Sequence, residues 1–185
     1  NKLKRLKNLK QIQMNLNIQF KIAFLCLLLP SIVLAHTNKD IVKSSKEKII
    51  KKSFNVSPNA TLKVDNSYGS IDVITWNENR IDFDILIKVT GNDTEKVQER
   101  LNGITVDFSA TKDLVSAITK ISKTKSSWWN WGKNKSIQLE IKYVIKIPIS
   151  NNVNLDQDYG SINLDRLNGV ATINCDYGKI TTKEL

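Results

Sequence analysis

The sequence predicts an all-β fold: a right-handed β-helix or solenoid with coils of about 18 residues, a longer-stranded N-terminal part and one short helix. Three observations carry this expectation. A Tyr-Gly phrase occurs three times, as Tyr68-Gly69-Ser70-Ile71, Tyr159-Gly160-Ser161-Ile162 and Tyr177-Gly178-Lys179-Ile180. Apolar residues of period two flank each copy, with Leu62/Val153/Ala171 and Val64/Leu155/Ile173 before it and Ile71/Ile162/Ile180 and Val73/Leu164/Thr182 after it. The last two tyrosines lie 18 residues apart, the length of a solenoid coil. A two-sheet β-sandwich is the alternative architecture.

Each repeated position has a structural reason. In stacked coils, equivalent residues sit about 4.8 Å apart, so branched aliphatics form inward ladders of like on like. Gly69, Gly160 and Gly178 suit a corner of positive φ, where a Cβ would cost roughly 1 kcal/mol or more. Asp, Asn and Ser before the corner can bond the turn's own amides. Tyr68, Tyr159 and Tyr177 can stack ring on ring with their hydroxyls in water. A sugar-stacking role for these tyrosines is the functional counterpart, and the structural reading covers more of the pattern.

The N-terminal segments read as targeting sequence. Ile22 to Ala35 is a 14-residue apolar run behind Lys21, closed by Val33-Leu34-Ala35, which fits a signal-peptidase cut before His36. Broken by Pro30, it is too short for a membrane span. Met14 would begin a conventional signal peptide over residues 14–35, so residues 1–13 read as over-called upstream sequence. A lipoprotein cut at Cys26 fails on bulky Phe24 and Leu25, and an uncleaved amphipathic anchor is the remaining alternative.

Residues 36–52 read as a polar lead-in, and residues 53–185 as the repeat domain. Phe54 and Val56 lead to the Pro58-Asn59 turn and the first Tyr-Gly coil. Ile81, Phe83, Ile85, Ile87 and Val89 form the cleanest alternating strand. Asp93 or Thr94 caps a helix that ends near Asn102-Gly103, with Val97, Leu101 and Ile104 as its apolar stripe. Strands follow at Ile104–Phe108, Leu114–Ile121 and Ile137–Ile147, the last two read as a hairpin with its tip at Ser126–Asn134. From Val153 the coils resume, and Leu185 falls one period after Leu167. Further coils are therefore expected downstream.

The formal charge of +10 suggests nucleic acid until it is divided along the chain. Six of the 28 basic residues lie in residues 1–35, which hold no acid, leaving 22 basic against 18 acidic residues and a net charge of +4 beyond. Those charges alternate along strands, as in Ile81-Asp82-Phe83-Asp84-Ile85, which marks a solvated sheet face rather than a phosphate-binding patch. No nucleic-acid partner is expected.

Chemistry finds few parts. His36 is the only histidine, so Ser-His and Cys-His pairs are excluded. After export Cys175 is the only cysteine, with no disulfide partner and too few companions for zinc, and it reads as a small inward-facing residue. Asp156-Gln157-Asp158-Tyr159-Gly160 resembles a calcium loop, but its Gly is one place early and Leu167 holds the position of the closing Glu. No metal or cofactor is expected. Asp82/Asp84 and Asp156/Asp158 each project to one side, as acid–base pairs on polysaccharide-degrading solenoids do, and as solvated strands do in general. The sharpest anomaly is Trp128-Trp129-Asn130-Trp131 among Lys123, Lys125, Lys133 and Lys135. Three indoles on a polar tip are either a lid on the solenoid or a binding site for carbohydrate, partner or lipid interface. Trp128, Trp129 and Trp131 are the candidate binding tip.

From about Phe54 to Leu185 the chain resembles the bacterial putative-adhesin domain family. The features that carry the resemblance are the LxVxNxYGxI pattern at Leu62–Ile71, the Trp76-Asn77 turn, the strand–helix–strand insert, and the closing coils at Tyr159 and Tyr177. The resemblance implies an exported β-helix-like protein, a surface or envelope scaffold with no established chemistry and no catalytic residues to carry over. The expected function is therefore a non-enzymatic adhesin-like or envelope interaction scaffold, periplasmic, on the cell surface or extracellular. Its partners would be a cell-surface glycan or an envelope protein, with no transmembrane segment after cleavage. The alternative is a carbohydrate-binding or polysaccharide-lyase-like domain on the same fold.

Overall fold

A computed structural model describes residues 43–122 and 137–184. Among them the elements run β1 (Ser44–Asn55), β2 (Thr61–Trp76), β3 (Arg80–Gly91), α1 (Thr94–Asn102), β4 (Ile104–Ala110), β5 (Leu114–Ile121), β6 (Gln138–Pro148), β7 (Asn152–Leu164) and β8 (Ala171–Thr182). Among the described residues the fold is all-β with one helix, and every strand joins a single sheet.

The trunk of that sheet is β2. Along one edge it pairs in parallel with β7, which pairs in parallel with β8. Along its other edge two strands follow one another, β5 beside Thr61–Asp65 and β6 beside Gly69–Trp76, both parallel. The sheet then continues antiparallel from β5 to β4, and from β6 to β3 and β1.

The change from β5 to β6 falls at the Tyr-Gly phrase, and burial shows why. Leu62, Val64 and Asn66 are buried before it, Ile71 and Val73 after it. The inward set changes from even to odd numbers, which a straight strand of period two cannot do and a corner does. In β7 the same change separates Val153, Leu155 and Gln157 from Ile162 and Leu164. The register is in phase throughout: Tyr68 lies beside Tyr159, and Tyr159 beside Tyr177.

Beyond the trunk the sheet curls toward a nearly closed barrel. The β1 and β4 edges face each other without a ladder. Phe54 of β1 lies 6.1 Å from Phe83 and 5.9 Å from Phe108 of β4, and Phe83 lies 5.3 Å from Phe108, ring centre to ring centre. Lys48 Nζ donates to the Ile104 carbonyl across the same gap, at 3.4 Å. Helix α1 packs there through buried Val97 and Leu101. Its first turn is held by Asp93, whose carboxylate accepts from the Glu95 and Lys96 amides at 3.1 and 3.2 Å. The Lys96 amide, chiefly, keeps that carboxyl below the usual carboxylate range.

Aliphatic ladders fill the interior, with Leu62, Val64, Ile71, Ile85, Ile87, Ile141, Ile145, Leu155 and Ile162 fully enclosed. Each such side chain contributes about 1.5–3 kcal/mol by leaving water.

Two expectations are corrected here. The strands on either side of residues 123–136 do not form a hairpin: β5 pairs with β2 and β4, whereas β6 pairs with β2 and β3. The bent trunk offers each a separate stretch of edge, which sequence proximity does not reveal. The lead-in before Ser53 is also not all coil, because β1 starts at Ser44. Its charges find partners across the ladder, Glu47 with Lys88 and Lys51 with Asp84, each at 3.1 Å.

Candidate functional site

The tyrosine corners form a continuous outer ridge. The Tyr68 and Tyr159 rings stack at 5.5 Å and 9°, those of Tyr159 and Tyr177 at 5.0 Å and 8°. Tyr159 and Tyr177 are 48% and 67% exposed. Gly69 and Gly160 have φ of 112° and 138°, in the region that glycine tolerates. Gly178 does not share that φ, yet a Cβ there would fall on the Gly160 carbonyl. The same holds of Gly160 against Gly69, and of Gly69 against Ile141. Close approach of successive backbones therefore demands glycine at all three corners.

Behind the ridge lies a polar seam that pattern reading passed over. Two residues before each tyrosine stand Asn66, Gln157 and Cys175, in one register. Asn66 Nδ2 donates to Gln157 Oε1 at 2.9 Å, and Gln157 Nε2 to the Tyr159 carbonyl at 2.8 Å. Thr119 donates to Asn66 Oδ1 at 3.1 Å and meets the Tyr143 hydroxyl at 2.7 Å. Burial pushes that phenol up to about 12, the Thr119 hydrogen bond opposing it. Half-buried Cys175 ends the seam, its sulfur 3.9 Å from the Gly160 carbonyl. The signal was available: two amides sit at equivalent places of an otherwise aliphatic inward alternation.

Three of the four carboxylates in the pairs read from the sequence meet a side-chain partner. Asp82 and Asp84 share one face of β3, but Arg80 Nε lies 2.9 Å from Asp82, Ser53 donates to Asp82 at 2.6 Å, and Lys51 pairs with Asp84. Asp156 accepts from Asn174 at 3.2 Å, and the intervening Gln157 turns into the seam. Asp65 stands beside Asp156 in the register. Its carboxyl is raised by partial burial and then by the charges of Asp156 and Asp158. Among the described residues, no group of three or more His, Cys, Asp or Glu could hold a metal ion.

One organised surface is the outer face of β1, β3, β6, β2, β7 and β8. The register lays side chains across it in rows, one running Lys51, Asp84, Val144, Asp72, Asn163, Thr181 and the next Ile49, Leu86, Lys142, Ser70, Ser161, Lys179. Two clefts open on this face. One, of about 430 Å³, lies among Lys51, Ser53, Asp82, Asp84 and Lys146. The other, of about 510 Å³, lies among Asp72, Ile74, Asn163, Asp165, Thr181 and Lys183. At the border of the face, Trp76 donates its indole N–H to the Arg80 carbonyl at 2.9 Å. The Arg80 guanidinium lies 4.8 Å and Lys146 Nζ 5.5 Å from its ring centre, so the indole is already engaged by cations. The candidate tip of Trp128, Trp129 and Trp131 lies outside the described residues.

No family model and no curated protein matches the chain in sequence. Several solved structures are similar to part of the chain. A putative cell adhesion protein from Clostridium sporogenes is 14% identical with a TM-score of 0.40, over 76% of this chain and 68% of that one. A putative adhesin from Bacteroides fragilis is 16% identical with a TM-score of 0.32, over 74% of this chain and 56% of that one. A putative adhesin from Parabacteroides merdae is 11% identical with a TM-score of 0.27, over 74% and 52%. The chain thus spans little more than half the length of the last two. All are named as putative adhesins or cell adhesion proteins. Among the described residues, no helix is long and apolar enough to cross a membrane.

Proposed function

We propose that the chain is an exported, non-enzymatic, adhesin-like scaffold that meets cell-surface or envelope partners through its outer sheet face. In this reading the in-phase strands β2, β7 and β8 are turns of a right-handed β-solenoid, and residues 14–35 direct export. Trp128, Trp129 and Trp131 belong to the proposal on sequence grounds alone. The observation that carries it is the pairing of charge on the outer face. Asp82, Asp84 and Asp165 each have a cation within 3.1 Å, so charge of both signs is matched across the face, as on surfaces that select partners by complementarity. A general acid at neutral pH needs the opposite environment.

One observation favours a second reading, a carbohydrate-active enzyme. Asp65 has a raised carboxyl beside Asp156, and such pairs can divide acid and base roles. Against it, neither outer-face cleft includes these residues. The test is to incubate the purified chain with intact cells and, separately, with polysaccharides. The scaffold reading expects saturable cell binding and no new chain ends. Turnover abolished by Asp65→Asn, Asp156→Asn or Asp158→Asn would overturn it.

A further inference from the structure

The cleft over β2, β7 and β8 has a ligand chemistry of its own. Asp72, Asn163 and Thr181 stand in one register row, one side chain per strand. Neighbouring strands lie about 4.8 Å apart, so a linear ligand crossing them meets a polar group at each step.

The carboxylates of the cleft are satisfied from within. Asp72 accepts from Asn163 Nδ2 at 2.6 Å and from Ser70 at 3.2 Å, with Lys142 Nζ 4.0 Å away. Lys183 lies 3.1 Å from Asp165, whose carboxyl is held below the usual range by the Arg166 amide first and by Lys183 next. A free ion, of either sign, would have to displace a partner already in place.

What remains for a ligand is uncharged. Among the described residues, Asn163 Oδ1 and the Thr181 hydroxyl have no side-chain partner, which leaves an acceptor and a donor–acceptor facing the cleft. Ile74 lies beside them, 41% exposed, as an aliphatic patch on the same wall. Hydrogen-bonding groups at regular spacing next to a small apolar surface match a pyranose, which presents hydroxyls at its rim and C–H groups on its face.

We propose that this cleft binds a neutral, polyhydroxylated chain, a glycan lying across the strands, with Asn163 and Thr181 as its hydrogen-bonding residues. The proposal rests on the adhesin-like reading of the same face and gives that reading a ligand class.

The experiment uses the full chain in affinity electrophoresis through gels holding dextran, mannan or galactan, with polygalacturonate and heparin for contrast, at low and high salt. Retention by at least one neutral polymer, unchanged by salt, is the expected result. Asn163→Ala and Thr181→Val should each weaken it about tenfold, the effect of one lost hydrogen bond of ordinary strength, with the melting temperature unchanged. Retention by none of the neutral polymers, retention only by the anionic ones, or variants that bind as well as the parent would overturn the proposal. Cell binding with the two variants separates this outcome from failure of the broader reading. Cells bound equally by parent and variants overturn the glycan site and leave the adhesin reading standing. Glycan retention with no cell binding leaves the glycan site standing and overturns the adhesin reading.

Discussion

The side-chain amide of Asn66 donates to that of Gln157 across 2.9 Å, inside the corner where the trunk strand bends. This bond joins two copies of the repeat at a place where aliphatic side chains would be expected. Asn66 also reaches the Tyr68 and Ile141 carbonyls at 3.3 and 3.4 Å, so it serves backbone acceptors at the corner as well.

Replacing either amide by Leu strands its partner. Asn66→Leu or Gln157→Leu should each destabilise the fold by about 2–3 kcal/mol, measured by urea denaturation. The double variant should cost less than the two single effects added, because the mutual bond is counted once. Strict additivity would mean that the two amides act independently.

The corner glycines differ in what they tolerate. Gly160 combines positive φ with a neighbouring carbonyl where a Cβ would stand, and it is enclosed between β2 and β8. Gly160→Ala should cost about 3 kcal/mol or more, read as a lower melting temperature. Gly178→Ala should cost roughly half as much, since β8 pairs only with β7 among the described residues and can shift. Equal losses would show that φ has no share in the penalty.

Tyr143 makes stability fall at high pH. Burial raises its phenol to about 12 in the folded chain, against about 10 unfolded. A raised acid favours the protonated form in the fold, so its contribution is whole below pH 10 and fades as pH rises through 12. Tyr143→Phe should remove this alkaline loss while costing about 1 kcal/mol at neutral pH through the missing Thr119 contact. A denaturation series from neutral to alkaline pH measures both.

Asp65 acts in the opposite range of pH. Its carboxyl is raised by burial and by Asp156 and Asp158, so ionising it weakens the fold, and stability from this group is lost as pH rises through its folded value. Asp65→Asn should therefore raise the melting temperature at neutral pH and leave it unchanged in acid. A lower melting temperature at neutral pH would show that the carboxylate is needed as an acceptor.

Much of this architecture was legible in the residues. Alternation located the strands from β2 onward, Asp93 and Gly103 bounded the helix, and the spacing of Tyr159 and Tyr177 set the β7–β8 register. The partners of β5 and β6 were not legible, because periodicity assigns faces and not neighbours. A parity change spread over Ser67–Ser70 is also invisible to a period-two template. The outer face was hidden for a similar reason: Lys51, Asp72 and Thr181 look like unrelated surface residues until three ladders align them. The Asn66–Gln157 seam was hidden because each amide, taken singly, looks like a solvated turn residue beside its tyrosine.

The most direct test of the central claim is a cell-binding isotherm comparing three forms of the full chain. These are the parent, an outer-face variant carrying Lys51→Ser, Asn163→Ala and Thr181→Val, and a ridge variant carrying Tyr159→Ser and Tyr177→Ser. Binding should weaken about tenfold or more in the outer-face variant, with its melting temperature preserved, and stay unchanged in the ridge variant. Binding lost with the ridge and kept without the outer-face residues would contradict the account.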